Sequence, residues 1–121
     1  MSLINKKILI VDDEVDLCQV LSWDFEDAGF TVLIANSGNE ALQVIKDNQV
    51  DILLSDIKMP NGDGLELLTE IKQNKLSISQ IYLMTGYTDY PIEELKALGM
   101  KSLFKKPIDT EKIIEEIAIN D

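Results

Sequence analysis

Histidine is absent from the 121-residue sequence. Its absence excludes catalysis by a histidine acid or base, Ser–His and Cys–His nucleophiles, and histidine ligands for a metal ion. Any metal ion would therefore be bound by oxygen atoms, which favours Mg²⁺, Mn²⁺ or Ca²⁺ over zinc.

Cysteine is nearly absent as well, since Cys18 is the single one in the sequence. A lone cysteine cannot form an internal disulfide, which is typical of proteins in the reducing cytoplasm. No apolar run approaches the roughly 18 residues that can span a bilayer, and no signal peptide is visible. We therefore expect a cytoplasmic protein that does not enter a membrane.

Basic residues are also scarce, because 11 lysines and arginines stand against 22 acidic residues, for a formal net charge of −11. Binding to nucleic-acid phosphates needs patches of lysine and arginine, so direct nucleic-acid binding is not expected. A divalent cation is a better candidate partner, although most of the acidic residues simply favour solubility. The length corresponds to one domain, residues 1–121, large enough to fold without disulfides.

Short apolar runs alternate with amphipathic segments along the whole sequence. The apolar runs predict strands at residues 7–11, 31–35, 50–55, 80–84 and 101–104. The amphipathic segments predict a helix after each strand, beginning near residues 14, 37, 63, 91 and 109. Such alternation indicates a parallel sheet covered on both faces. We predict an α/β fold, a doubly wound (βα)5 three-layer sandwich with strand order 2-1-3-4-5, as in flavodoxin-like proteins.

The helical spacing also predicts which face of the first helix is buried. The expected buried residues are Leu17, Val20, Leu21, Phe25 and Ala28. Trp23 falls outside this face and should be partly exposed. Gly29 is expected to end the helix, because glycine readily adopts the backbone conformation found just after a helix.

Candidate site residues follow four of the five predicted strands. The list is Asp12 and Asp13 after the first strand, Asp56 after the third, Thr85 after the fourth, and Lys105 and Lys106 after the fifth. Ligands of this fold class bind at the carboxyl ends of the strands, beside the point where the strand order reverses. We therefore expect these side chains to share one rim, with Lys105 as a solvated neighbour.

Three carboxylates that lie close together repel one another unless a cation lies among them. Oxygen ligands in an acidic pocket suit Mg²⁺, which keeps several of its water molecules. Carboxylate, Mg²⁺, hydroxyl and ammonium are used together in phosphoryl transfer, where a carboxylate can itself be the nucleophile.

The sequence resembles the receiver domain of response regulators in two-component and phosphorelay systems, the chemotaxis-regulator-like family. The resemblance covers essentially the whole chain, in order and without large gaps. Four motifs carry it, namely Val11-Asp12-Asp13-Glu14, Asp56-Ile57-Lys58-Met59-Pro60 with Asp63-Gly64, Thr85-Gly86, and Lys106-Pro107.

The resemblance implies that Asp56 is the phosphoacceptor and takes its phosphoryl group from a phosphohistidine on a sensor kinase or a histidine phosphotransfer protein. It implies bound Mg²⁺, for which Mn²⁺ can substitute, with the carboxylates of Asp13 and Asp56 and the backbone carbonyl of Lys58 as ligands. Asp12 would act mostly through bound water. Such a domain is a signalling switch and not an enzyme, apart from its own phosphotransfer and autodephosphorylation.

The resemblance also implies groups that stabilise the phosphoryl group. These are the Thr85 hydroxyl, the backbone N–H of Gly86 and the ammonium group of Lys106, with the backbone N–H of Lys58 beside them. The Lys106–Pro107 peptide bond is a candidate for the cis isomer, because cis bonds occur almost only before proline.

One position departs from the family, which usually has an aromatic residue where this sequence has Leu103. Phe104 follows it, but the alternation of side chains along a strand predicts that Phe104 points to the opposite face. The aromatic movement that accompanies movement of the threonine is therefore not expected in its usual form. Lys58 and Tyr87 flank the acceptor, and we predict that they modulate the lifetime of the phosphorylated state.

Two surfaces are implied as partner sites. The first helix would bind the phosphodonor, with Trp23 as a predicted contact. The surface formed by helix 4, strand 5 and helix 5, including Tyr90 and Leu103, would change on phosphorylation and would bind an output partner, an effector domain or a second copy.

Three other functions are possible for such a fold. A phosphorylation-independent interaction module on the same fold would be expected to lack the acceptor or the acidic pair, and both are present here. A Mg²⁺-dependent phosphatase of the haloacid-dehalogenase type would carry an Asp-x-Asp pattern after strand 1, whereas this sequence has Asp-Asp-Glu. A dinucleotide-binding domain is not expected, because no glycine-rich turn follows strand 1.

Overall fold

The computed structural model describes residues 5–86 and 91–121, so that Tyr87 and Tyr90 lie outside the described residues. Within these two ranges the chain forms five strands and five helices in strict alternation. The strands are β1 (Lys7–Val11), β2 (Thr31–Ala35), β3 (Ile52–Asp56), β4 (Gln80–Thr85) and β5 (Ser102–Lys105). The helices are α1 (Val15–Asp27), α2 (Gly38–Asp47), α3 (Gly64–Gln73), α4 (Ile92–Ala97) and α5 (Thr110–Asn120).

All five strands pair in parallel in the order β2-β1-β3-β4-β5, which confirms the predicted fold. The register brings the carboxyl ends of the strands level with one another. Val11 at the end of β1 lies opposite both Ala35 of β2 and Ser55 of β3, and Thr85 at the end of β4 lies opposite Lys105 of β5. The residues that follow these strands therefore leave the sheet at one edge.

The core has two halves, one on each face of the sheet. On one face, side chains such as Leu9 and Leu53 pack against α2, α3 and α4. On the other face, side chains such as Ile10 and Leu54 pack against α1 and α5. Strand β3 is buried along its whole length, which explains why its sequence is an apolar run and not an alternating pattern.

The ends of several helices are fixed by the residues that the sequence suggests. Ser37 caps α2 by accepting a hydrogen bond from the Glu40 N–H at 3.1 Å, and Asp63 caps α3 by accepting one from the Glu66 N–H at 2.8 Å. These side chains satisfy N–H groups that have no partner inside the helix. Gly29, at a φ of 102°, follows the end of α1 as predicted.

The predicted buried face of α1 was partly wrong. The buried residues of α1 are Cys18, Leu21, Ser22 and Phe25, whereas Val20 is 50% exposed and Ala28 is exposed. Val20 lies roughly 200° around the helix from Cys18, because successive residues are about 100° apart. The apolar pattern of the sequence includes Val20, which the helix does not bury. Packing against the sheet and α5 determines which side of α1 is buried. Trp23 is 57% exposed, as expected.

Candidate functional site

The predicted site residues converge at the carboxyl edge of the sheet. Asp12 and Asp13 follow β1, Asp56 ends β3, and Lys106 follows β5. One carboxylate oxygen from each of the three aspartates lies within 4.8 Å of the corresponding oxygens of the other two. The fold thus places three acidic groups and an ammonium group in one small volume, although they are far apart in the sequence.

Asp56 is nearly buried, with 7% of its surface exposed. Its Oδ1 accepts a hydrogen bond from the Ile57 N–H at 2.8 Å, and its Oδ2 accepts one from Lys106 Nζ at 3.2 Å. Burial raises the pKa of the Asp56 carboxyl, and the negative charge of Asp12 raises it further, while Lys106 acts in the opposite direction. The site therefore holds a carboxylate whose charge is only partly compensated.

Asp12 is completely buried and is held at each of its polar atoms. Its Oδ1 accepts a hydrogen bond from the Glu14 N–H at 2.9 Å, and its Oδ2 accepts one from Lys106 at 2.8 Å. Its backbone oxygen accepts hydrogen bonds from the Asn36 side-chain amide at 2.9 Å and from the Cys18 thiol at 3.4 Å. These contacts hold the Asp12 carboxylate in a fixed position at one side of the site.

The Cys18 thiol contacts the backbone of Asp12 and is 1% exposed. Burial raises the pKa of Cys18 to about 11, and the nearby charge of Asp12 adds to this effect. The thiol is therefore protonated at neutral pH and can donate its hydrogen to the Asp12 carbonyl. Cys18 is buried beneath the site, and it also takes part in a hydrogen bond.

Lys106 is the cation of the site. Its Nζ lies 2.8 Å from Asp12, 3.2 Å from Asp56 and 3.6 Å from Glu14. Burial by itself would lower the pKa of the ammonium group, but the hydrogen bond and charge of Asp12, followed by those of Asp56, raise the pKa to about 12. Lys106 is consequently charged across the physiological range.

The backbone around Lys106 fixes the position of this side chain. Its N–H donates to the Thr85 carbonyl at 2.8 Å, which ties the end of β5 to the end of β4. The Lys106–Pro107 peptide bond is cis. The neighbouring Lys105 is exposed, as expected for a solvated lysine.

The loop after Asp56 is held by the backbone. The Ile57 N–H donates to the Met84 carbonyl at 3.1 Å, and the Gly64 N–H donates to the Ile57 carbonyl at 2.7 Å. Farther along the loop, the Gly38 N–H at the start of α2 donates to the Gly62 carbonyl at 2.8 Å. Asp56 therefore lies between a rigid strand and a constrained turn.

The rim encloses an open cavity of about 310 Å³. Its lining residues are Asp13, Glu14, Asp56, Lys58, Gly86 and Lys106. Thr85 ends β4 next to Gly86 and is 2% exposed. A small anionic group could therefore enter from solvent and meet Asp56, the Lys106 ammonium and the backbone at Gly86.

The donor set fits a hard divalent cation. Among the described residues it consists of three carboxylates, and oxygen is the ligand atom that Mg²⁺ prefers. In the part of the chain that the structure describes, each oxygen of Asp12 and Asp56 accepts one hydrogen bond. A carboxylate offers about four acceptor positions, so these bonds leave lone pairs for a cation. Asp13 is exposed, so an ion bound here could keep several water molecules.

The sequence did not point to Asn36. This residue follows β2 directly, and its amide reaches the backbone of Asp12 across the β1–β2 pairing. Its position after a strand, at the same edge as the acidic residues, is the signal that could have identified it.

The side chains of strand β5 lie as the alternation predicts. Leu103 packs against the half of the core that contains α2, α3 and α4. Phe104 lies on the opposite face, where its ring is 5.7 Å from that of Tyr82. Phe104 thus does not replace the aromatic residue that is missing at Leu103.

Comparison with known proteins agrees with this geometry. Residues 8–118 match the family model of the response regulator receiver domain. The chain belongs to this family. Its members are signalling domains of two-component systems and act as switches, not as enzymes in the usual sense.

Curated relatives of the receiver domain differ in length. Sporulation initiation phosphotransferase F of Bacillus subtilis is 34% identical over 116 residues, which are 95% of this chain and 93% of that protein. Transcriptional regulatory protein ZraR of Klebsiella oxytoca is 37% identical over 108 residues, which are 88% of this chain and 24% of that protein. Response regulator SaeR of Staphylococcus aureus is 34% identical, and the match covers 48% of it. The receiver domain thus spans about a quarter to a half of two of these relatives and nearly all of the third.

Solved structures show the same fold. The receiver domain of the Francisella response regulator 1452 matches with a TM-score of 0.86 and 28% identity over 96% of both chains. Response regulator TrrA from Thermotoga maritima, in complex with Mg²⁺ and BeF, matches with a TM-score of 0.83 and 28% identity over 96% of this chain and 99% of that one. In the part of this chain that the structure describes, every helix is too short or too polar to cross a bilayer.

Proposed function

We propose that this receiver domain is a phosphoryl-accepting switch in which Asp56 takes a phosphoryl group from a phosphohistidine on a sensor kinase or histidine phosphotransfer protein. The observation that carries the proposal is the position of Asp56 in an open cavity, between two further aspartates and Lys106. A carboxylate oxygen would attack phosphorus, the P–N bond would break, and the imidazole would leave with the electron pair. The product would be an aspartyl-phosphate on Asp56.

The incoming phosphoryl group brings negative charge into a site that is already acidic. Lys106 would turn from Asp56 towards a phosphoryl oxygen, since its ammonium already lies 3.2 Å from the acceptor carboxylate. The Thr85 hydroxyl and the backbone N–H groups of Lys58 and Gly86 would supply further donors. Preorganised donors of this kind stabilise charge that develops in the transition state.

The three aspartates, together with the backbone carbonyl of Lys58, would hold Mg²⁺, and Mn²⁺ could substitute. Such an ion neutralises charge on the phosphoryl oxygens during transfer. The donor set described above supports this assignment, as does the Mg²⁺ in the related TrrA structure.

We place the receiver domain over residues 1–121 in the cytoplasm and assign two surfaces to its partners. The exposed side of α1, with Val20 and Trp23 at 50% and 57% exposure, would bind the phosphodonor. The surface of α4, β5 and α5, with Leu103 on β5, would carry the output to a partner, an effector domain or a second copy. The net charge of −11 argues against direct contact with nucleic acid.

The test is incubation of the full chain with Mg²⁺ and acetyl phosphate, followed by intact mass measurement. The parent protein should gain the mass of one phosphoryl group, and Asp56→Asn should not. Asp51→Asn is the matched control, because Asp51 lies just before β3, at the opposite end of the strand from Asp56.

Chelation of Mg²⁺ should abolish the gain in the parent. If the parent gains no mass, the phosphoacceptor proposal fails and a phosphorylation-independent interaction module becomes the better interpretation. If Asp56→Asn gains the same mass as the parent, another residue is the acceptor.

A further inference from the structure

The edge strand β2 also contributes a polar group to the site, through Asn36. Because Val11 and Ala35 are paired, the residues that follow them, Asp12 and Asn36, leave the sheet side by side. The Asp12 N–H donates to the Ala35 carbonyl at 3.2 Å. The Asn36 Nδ2 then donates to the Asp12 carbonyl at 2.9 Å, so the two segments are joined in both directions.

The carbonyl that Asn36 binds belongs to the peptide unit between Asp12 and Asp13. A peptide unit is planar and rigid, so a hydrogen bond to its oxygen fixes the whole plane. That plane sets the direction in which the chain leaves Asp12 and therefore the position of the Asp13 carboxylate. Asp12 is completely buried, whereas Asp13 is exposed and cannot rely on packing for its position.

Two donors among the described residues reach this carbonyl, and the Asn36 amide is the stronger of them. The other is the Cys18 thiol, at 3.4 Å, and a thiol is a weak donor. The Asn36 Nδ2 also lies 3.7 Å from the Cys18 sulfur, so the three residues form one cluster behind the acidic pair. Without Asn36, this backbone oxygen beside a buried carboxylate would keep the weak Cys18 thiol as its one donor among residues 5–86 and 91–121.

We propose that Asn36 is a positioning residue, which sets the orientation of the Asp12–Asp13 peptide and thereby holds the acidic pair ready to bind a divalent cation. The inference rests on the function proposed above, because it assigns Asn36 to the same cation site. Substitution of a residue that hydrogen-bonds to a metal ligand and orients it usually weakens metal affinity by about 10–100-fold. Asn36 acts on the backbone, so we expect an effect near the lower end of this range.

The first experiment measures Mg²⁺ binding by isothermal titration calorimetry in the absence of any phosphodonor. Asn36→Ala should raise the Mg²⁺ dissociation constant about tenfold relative to the parent. The matched control is Asn48→Ala, because the Asn48 side chain also donates to a backbone carbonyl, that of Val44 at 3.0 Å, but far from the acidic pair. Asn48→Ala should leave the dissociation constant within twofold of the parent value.

The second experiment does not depend on the metal ion. Amide hydrogen exchange of the metal-free protein should show about fivefold faster exchange at Glu14 in Asn36→Ala, because the Glu14 N–H donates to the Asp12 side chain. Exchange at Leu83, in the middle of β4, should not change, which separates a local effect from general loss of stability.

The outcomes distinguish the two proposals. Unchanged Mg²⁺ affinity in Asn36→Ala, with tight binding in the parent, would overturn the positioning role and leave the phosphoacceptor function intact. Absence of Mg²⁺ binding in the parent would overturn the cation site, and the exchange at Glu14 would still decide whether Asn36 orders the acidic pair. If Asn36→Ala and Asn48→Ala raise the Mg²⁺ dissociation constant equally, the cause is a general loss of stability, and the inference is also overturned.

Discussion

Lys106 Nζ lies 2.8 Å from Oδ2 of Asp12, a residue 94 positions earlier in the chain. This distance is shorter than the 3.2 Å from Lys106 Nζ to Asp56 Oδ2. The side chain of Asp12 is 0% exposed, so Lys106 compensates a charge that water cannot reach. Lys106 therefore connects Asp12 to the proposed acceptor Asp56.

Replacement of Lys106 should destabilise the protein strongly. Lys106→Met leaves Asp12 and Asp56 without their cation, and loss of one partner from a buried ion pair costs about 3–5 kcal/mol. Urea unfolding in EDTA measures the change, and added Mg²⁺ should restore part of the stability. Lys105→Met is the control, because Lys105 is exposed, and its effect should stay within about 0.5 kcal/mol. Equal losses of unfolding free energy in Lys106→Met and Lys105→Met would contradict the role of Lys106 as the cation that compensates the buried carboxylates.

The pKa of Asp56 predicts how stability changes with pH. Since burial raises this pKa, the folded protein binds the Asp56 proton more tightly than the unfolded chain does. Stability is therefore lost as the pH rises from the ordinary pKa of 3.8 through the folded-state pKa. In EDTA at neutral pH, Asp56→Asn should have a higher Tm than the parent, and the difference should disappear as the pH falls to 3.8.

Addition of Mg²⁺ provides the internal control for this pH prediction. The ion should stabilise the parent more than Asp56→Asn, because an amide is a weaker ligand than a carboxylate. A higher Tm for the parent in EDTA at neutral pH would contradict the prediction. Thermal unfolding monitored by circular dichroism gives both comparisons.

Gly64 is required where α3 begins, directly beside the acceptor. A Cβ atom at this position would lie 2.7 Å from the Asp56 carbonyl oxygen and 2.9 Å from the Ile57 Cα, and neither backbone atom can move without shifting the site. Gly64→Ala should therefore cost about 1–3 kcal/mol of stability. Gly86→Ala is the control, because a Cβ there meets nothing within 4 Å, and its unfolding free energy should change by less than about 0.5 kcal/mol.

Trp23 tests the proposed docking surface on α1. Its side chain is 57% exposed, so Trp23→Ala should fold normally but slow phosphotransfer from the cognate kinase or phosphotransfer protein by at least about tenfold. Labelling by acetyl phosphate should not change, since a small donor does not need the docking surface. Ile119→Ala, at an 81% exposed position on α5, is the control. Normal phosphotransfer to Trp23→Ala would remove Trp23 from the proposed interface.

Lys58 and Tyr87 test the control of phosphate lifetime. Lys58 is exposed and lines the cavity next to Asp56, while Tyr87 is assigned from the sequence alone. If these side chains shield the phosphoryl group from water, the double substitution to alanine should speed dephosphorylation severalfold. The loss of phosphoryl mass with time measures the rate, and an unchanged rate would contradict the prediction.

Much of this fold was predictable because its signals are local. Apolar runs and helical spacing depend on neighbouring residues, so all five strands and five helices were found with their ends within a few residues. The predicted buried face of α1 failed at Val20, since the sequence pattern allows more than one rotation of a helix. Packing against the sheet and α5 chooses that rotation, and the interacting residues are distant in the sequence.

The sequence by itself determined the order of strands and helices along the chain, the absence of histidine as a metal ligand, and the set of candidate site residues that follow the strands. Only the tertiary structure decided which of these groups bind one another. The hydrogen bonds from Lys106 and from Asn36 to Asp12 exist because the strands are parallel and in a particular register. Register is a property of paired strands, and a single stretch of sequence does not contain it.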